Sequence, residues 1–104
     1  MNKHGPPLPS RFFSRDGSEG VIVRVSPIEL SPSVAVSTFN PHAIKLRDNI
    51  DRTPLARDLL HEMLHHADPN APEGAVRRLE PGLVRSLQRN PGVWLWLIWT
   101  LNGR

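Results

Sequence analysis

Thr53-Pro54 and Asp68-Pro69 bracket a segment with one favourable conformation, an α-helix of about four turns. Threonine is suited to cap a helix start, and proline is tolerated at the first helical position, where the missing amide hydrogen has no partner to lose. The residue before a proline is pushed out of helical geometry, so Asp68-Pro69 stops the helix. In between, Leu55, Leu59, Leu60, Met63, Leu64 and Ala67 recur at helical spacing and form an apolar stripe about half the circumference wide. That stripe needs a surface to lie on.

The chain upstream offers one. Val21-Ile22-Val23-Arg24-Val25 is rich in β-branched residues and bounded by Gly20 and Pro27, the pattern of a strand. Val34 to Phe39 is a second strand candidate. After the turn signal Asn40-Pro41-His42, the run Ala43-Ile44-Lys45-Leu46-Arg47 alternates apolar and charged residues, as a half-buried strand does. Downstream, a second helical stretch starts near Pro72-Glu73, carries Val76, Leu79, Leu83, Val84 and Leu87 on one side, and ends before Asn90-Pro91-Gly92. Pro81-Gly82 interrupts it, which predicts a kink or two short helices meeting at Glu80. The expected fold is α+β: a small antiparallel sheet packed against the first helix and a second, C-terminal helix.

With 104 residues the chain is expected to form one small domain over residues 20–100, burying about two-thirds of its unfolded surface. Residues 1–19, rich in proline, glycine and serine, read as a flexible arm without the apolar stretch of a secretory signal, and 101–104 as a tail. The apolar run Val93 to Trp99 is far shorter than the roughly 20 residues of a bilayer span. It reads as a segment that closes a small core rather than an interfacial anchor.

The same first helix carries the chemistry. His61-Glu62-Met63-Leu64-His65 is an HExxH pattern. Residues four apart lie about 40° apart around a helix and roughly 6 Å along it, so two imidazoles converge on one ion. Glu62, turned about 100° from His61, falls beside the ion, where its carboxylate can take a proton from a metal-bound water whose pKa zinc lowers to about 7. The apolar stripe is centred opposite the two histidines, so one face would pack on a core and the other line a cleft. Five-residue matches of this kind arise by chance in roughly one or two per cent of chains this size. The bracketed helix and its stripe are what give this one weight.

The chain has no cysteine, so any metal must be held by His, Asp or Glu, and a zinc hydrolase needs a third protein ligand with one position left open. Glu73 and Glu80, seven apart on the second helix, share its apolar face. Glu73, at the mouth of that helix, is favoured as the third ligand over Glu80, which would pair with an arginine or cap the segment at Pro81. Asp68 reads as a helix-end residue or as a group orienting an imidazole, and His66, about 140° from His61, as a structural histidine. The formal charge of +3 comes from scattered arginines rather than a basic cluster, which disfavours a nucleic-acid partner.

LARDLLHEMLHHAD followed by EGAVRRLEPGLVRSLQRNP resembles the short zinc metallopeptidase-like proteins of phages and prophages, distant relatives of the ImmA/IrrE peptidases and gluzincin-like in their minimal form. The resemblance covers about residues 20 to 95, most specifically 43 to 90. It implies a zincin-like fold, a Zn2+ cofactor held by His61, His65 and Glu73, and Glu62 as general base for peptide-bond hydrolysis. It further implies a peptide or protein substrate laid along Ala43 to Arg47, and a location in the host cytoplasm. The chain departs from many zinc peptidases in having no tyrosine to steady the oxyanion, leaving His66, His42 or an arginine for that task. Two other functions fit the same residues: a metal-stabilised phage interaction module without catalysis, and a basic nucleic-acid binder acting through Arg77, Arg78, Arg85 and Arg89.

Overall fold

The computed structural model describes residues 5–103, in two compact units that meet in the chain at Ala71 and Pro72. The first unit runs β1 (Arg11–Phe13), β2 (Glu19–Val25), α1 (Pro27–Leu30), β3 (Ala35–Phe39), β4 (His42–Arg47) and α2 (Arg52–Ala67). The second holds α3 (Glu73–Arg89) and α4 (Pro91–Leu101). The segment read as a flexible arm contributes an edge strand from residue 11. Residues 1–4 of that segment and residue 104 of the tail lie outside the described residues.

The α+β class holds, but the sheet is mixed. Its order is β1-β2-β4-β3, with β2 and β4 parallel and both outer pairs antiparallel. The cause lies in β4. Its alternate residues Ile44 and Leu46 are completely buried, which contributes about 1.5–3 kcal/mol each, and an interior position covers them best. The hairpin at Asn40-Pro41 inserts β4 beside β2 and leaves β3, with its half-exposed residues, on the edge. Phe12, Ile22 and Leu55 complete the core, with Leu59, Met63 and Ile50 packed around it.

In β2, Gly20 faces Phe12 across the β1 pair, and a Cβ there would lie 2.5 Å from the Phe12 ring. Its bare backbone is what lets that ring turn inward. The β1–β2 turn is tied by Asp16, which accepts from the Ser14 hydroxyl and from the Ser18 amide at 2.9 Å. Those bonds, the Ser14 hydroxyl first, hold the Asp16 carboxyl well below the usual carboxylate range.

Helix α2 starts two residues earlier than Thr53 capping predicts. Asp51, in extended geometry, is the N-cap, and Thr53-Pro54 sits inside the first turn. The helix ends as expected at Asp68, whose amide donates to the Leu64 carbonyl at 3.0 Å. It packs on β3 and β4, and Arg47 of β4 pairs with Asp58 at 3.0 Å in a partly buried bridge.

In the second unit, α3 passes through Pro81 as one helix instead of breaking at Glu80. Pro81 has no amide hydrogen to send to the Arg77 carbonyl, yet the helix is continuous from Glu73 to Arg89. Asn90 ends α3 and begins α4, and its side-chain amide donates to the Ser86 carbonyl at 3.1 Å. Trp94 Nε1 donates to Ser86 Oγ at 3.1 Å, setting α4 back against α3. The expectation that Val93 to Trp99 closes a core is not met, since α4 contributes no buried residue. No helix among the described residues is long and apolar enough to cross a membrane.

Candidate metal centre

His61 and His65 stand one turn apart on α2, both half-buried, with ring centroids 5.0 Å apart and planes inclined by 68°. A ring nitrogen of one lies within 4.8 Å of a ring nitrogen of the other. A tetrahedral zinc ion with bonds of about 2.0–2.1 Å needs two nitrogens roughly 3.3 Å apart. The donor chemistry therefore suits a borderline-soft divalent cation better than an all-oxygen ion such as calcium.

Glu62 lies between them in sequence and is only 6% exposed. Its Oε1 accepts a hydrogen bond of 2.7 Å from Ser37 Oγ on β3. A carboxylate withdrawn this far from water is costly without a partner, and Ser37 is that partner. One turn on, His66 meets Phe39 of the same strand at a centroid distance of 4.5 Å. Two residues of strand advance about 6.6 Å and four residues of helix about 6 Å, so Ser37 matches Glu62 and Phe39 matches His66 in step. The edge strand β3 thus runs alongside the HExxH turn of α2, in the same direction.

These contacts correct the orientation read from the sequence. The buried side of α2 is Leu55, Leu59, Glu62, Met63 and His66, turned by roughly 80° from the expected stripe. Ala67 is exposed, and Leu60 and Leu64 are only half-buried. The expected substrate strand Ala43–Arg47 is also displaced: β4 is hydrogen-bonded on both sides, and β3 carries the free edge nearest α2.

His66 is structural, as expected, at 1% exposure. Its ring packs edge-on to Phe12 at 4.6 Å, and its Nδ1 lies 3.3 Å from Nδ1 of His42. Burial, then the charge of His42, pushes its pKa below the usual imidazole value, while the Ala43 backbone acts the other way. Held in the core, it is not available to steady an oxyanion. Asp68 is the exposed C-cap of α2.

Glu73 and Glu80 belong to the second unit. Glu73 is the first residue of α3, exposed, with a carboxylate oxygen 3.6 Å from Arg77 Nε in an i,i+4 pair. Glu80 is half-buried on the same helix. The residue the sequence reading missed is Ser37. Its signal was present, since Ala35, Ser37 and Phe39 form one face of β3 and Ser37 is its sole hydroxyl, but the partner lies 25 residues away. The chain matches no protein-family model, no curated protein and no solved structure.

Proposed function

We propose that this protein is a zinc-dependent metallopeptidase of minimal, zincin-like construction, with His61, His65 and Glu73 as metal ligands and Glu62 as general base. The observation that carries the reading is the α2 turn itself: two convergent imidazoles with a carboxylate between them, that carboxylate held by a hydroxyl from a free sheet edge. For Glu73 the support is its place in the chain. Only residues 68–72 separate α2 from α3, and Glu73 opens the second helix.

A zinc ion in this setting supplies a Lewis acid for the scissile carbonyl and brings the pKa of water to about 7. Glu62 accepts the proton of the attacking water and passes it to the leaving amine nitrogen. Ser37, by donating to Oε1, fixes the carboxylate rotamer and leaves the other oxygen for that transfer. A peptide in extended form adds to the open side of β3, where backbone pairing presents successive side chains alternately to α2 and to solvent.

Metal content by mass spectrometry tests the ligands. The wild type should carry a single zinc, His65→Ala and Glu73→Gln should lose it, and Glu80→Gln should keep it; a wild type without zinc ends the proposal. Glu62→Gln should retain zinc and lose cleavage of a peptide library. A second reading, a metal-stabilised interaction module without catalysis, draws on the depth of Glu62. It expects the same zinc content and no cleavage by the wild type.

A further inference from the structure

We propose that residues 72–104 form a peripheral anchor for an anionic lipid surface, with α4 lying in the interface and the arginines of α3 holding the phosphate layer. Charge is the first observation. Arg77, Arg78, Arg85, Arg89 and Arg104 stand against Glu73 and Glu80 in this segment, giving +3. The other eight basic and eight acidic residues, all in residues 1–71, cancel, so the whole net charge of the chain resides in its last third. On α3, Arg78, Arg85 and Arg89 fall within an arc of about 40°, opposite the buried Val76. All three are exposed, and their long stems can extend along an apolar surface with the charged heads in the polar layer.

Apolar surface is the second observation. In α4, Trp94 and Leu97 are half-buried, and Trp94 is bonded to α3. Leu95, Trp96 and Trp99 lie within about 100° on the opposite side, all exposed, with Ile98 and Leu101 also exposed. A contiguous patch of this kind marks a contact surface rather than ordinary exposed surface. Eleven residues of helix reach about 16 Å, against a hydrocarbon core of roughly 30 Å, so α4 cannot span. Tryptophan is the side chain that prefers the boundary between acyl chains and headgroups.

Charge also decides between occupants. A second copy would bring +3 against +3, whereas a leaflet containing phosphatidylserine neutralises the arginines of the neighbouring helix α3.

The three tryptophans all lie in α4 and the chain has no tyrosine, so intrinsic emission of the full chain reports this helix alone. With phosphatidylserine-containing vesicles, the emission should shift to the blue and the protein should co-sediment. Phosphatidylcholine vesicles should bind weakly, and raised salt should reverse binding. Each arginine near the surface is worth about a fivefold change in partition, so Arg78→Gln/Arg85→Gln/Arg89→Gln should lose roughly a hundredfold. Leu95→Ser/Trp96→Ser should abolish the residual blue shift, with circular dichroism confirming that the helices persist. Absence of wild-type binding to the anionic vesicles overturns the proposal without reference to any variant. So does emission already blue-shifted and shielded from acrylamide in buffer: on concentration it would indicate a second copy, and at all dilutions it would indicate packing within the chain. Binding to duplex DNA that persists in Leu95→Ser/Trp96→Ser, together with no vesicle binding, would assign the arginines to nucleic acid instead.

Discussion

Glu62 and His66, one turn apart on α2, are both withdrawn from water and solve the problem differently. Glu62 keeps a hydroxyl partner, while His66 lies among aromatic rings, where burial and then the charge of His42 favour its neutral form. His66→Ala should therefore act as a core truncation, costing about 3 kcal/mol in urea unfolding while leaving zinc content unchanged. Loss of zinc in a folded His66→Ala would make this histidine part of the metal centre. Asp16 gives the pH counterpart. Its folded pKa lies below the ordinary 3.8, so its contribution to stability is complete above that value and disappears as pH falls through the folded one. Asp16→Asn should lower the melting temperature at neutral pH, and the gap from wild type should begin to narrow only as the pH falls below about 4, continuing towards the lower folded pKa. The side chain is solvent-exposed, so the effect is a modest one.

Between elements, the decisive pairing is β3 with α2. Ser37→Ala leaves the Glu62 carboxylate buried without its donor, a loss of about 1–3 kcal/mol. If Glu62 is the base, the same variant should lower kcat with little change in KM and full zinc content, and Ser37→Thr should restore much of the rate. Unchanged kcat would reduce Ser37 to a packing role. Where β2 pairs with the opposite edge strand β1, Gly20→Ala forces a Cβ into the Phe12 ring and to 3.0 Å from His42 Cβ, and should cost about 1–3 kcal/mol in denaturant. The elements themselves were legible because they are local: alternation marked β4, and leucine spacing with prolines marked α2. Sheet order and the rotation of α2 were not, because each depends on partners far along the chain. Leucine periodicity places Leu60 and Leu64 inside, but β3 meets α2 through Ser37 and Phe39, so Glu62 and His66 take the buried side. HExxH was read from five residues; that its glutamate would be buried against a serine could not be.

At the scale of the whole molecule, the proposed ligand set asks two compact units to share one ion. His61 and His65 come from the first and Glu73 from the second, and the chain joins the two at Ala71 and Pro72. An ion that binds only the folded chain stabilises it by mass action, about 2.7 kcal/mol when free metal is a hundred times Kd. Chelation should therefore lower the melting temperature of the wild type and leave His65→Ala unmoved. Hydrogen exchange then separates the ligands by element. If Glu73 completes the centre, removing zinc should increase exchange both in the last two turns of α2 and in the first turn of α3, although only the first carries the HExxH residues. Glu73→Gln should show that increase without chelator, and Glu80→Gln should behave as wild type. A response confined to α2 would mean that the third ligand is not Glu73 and that the metal, if bound, is held by the first unit alone.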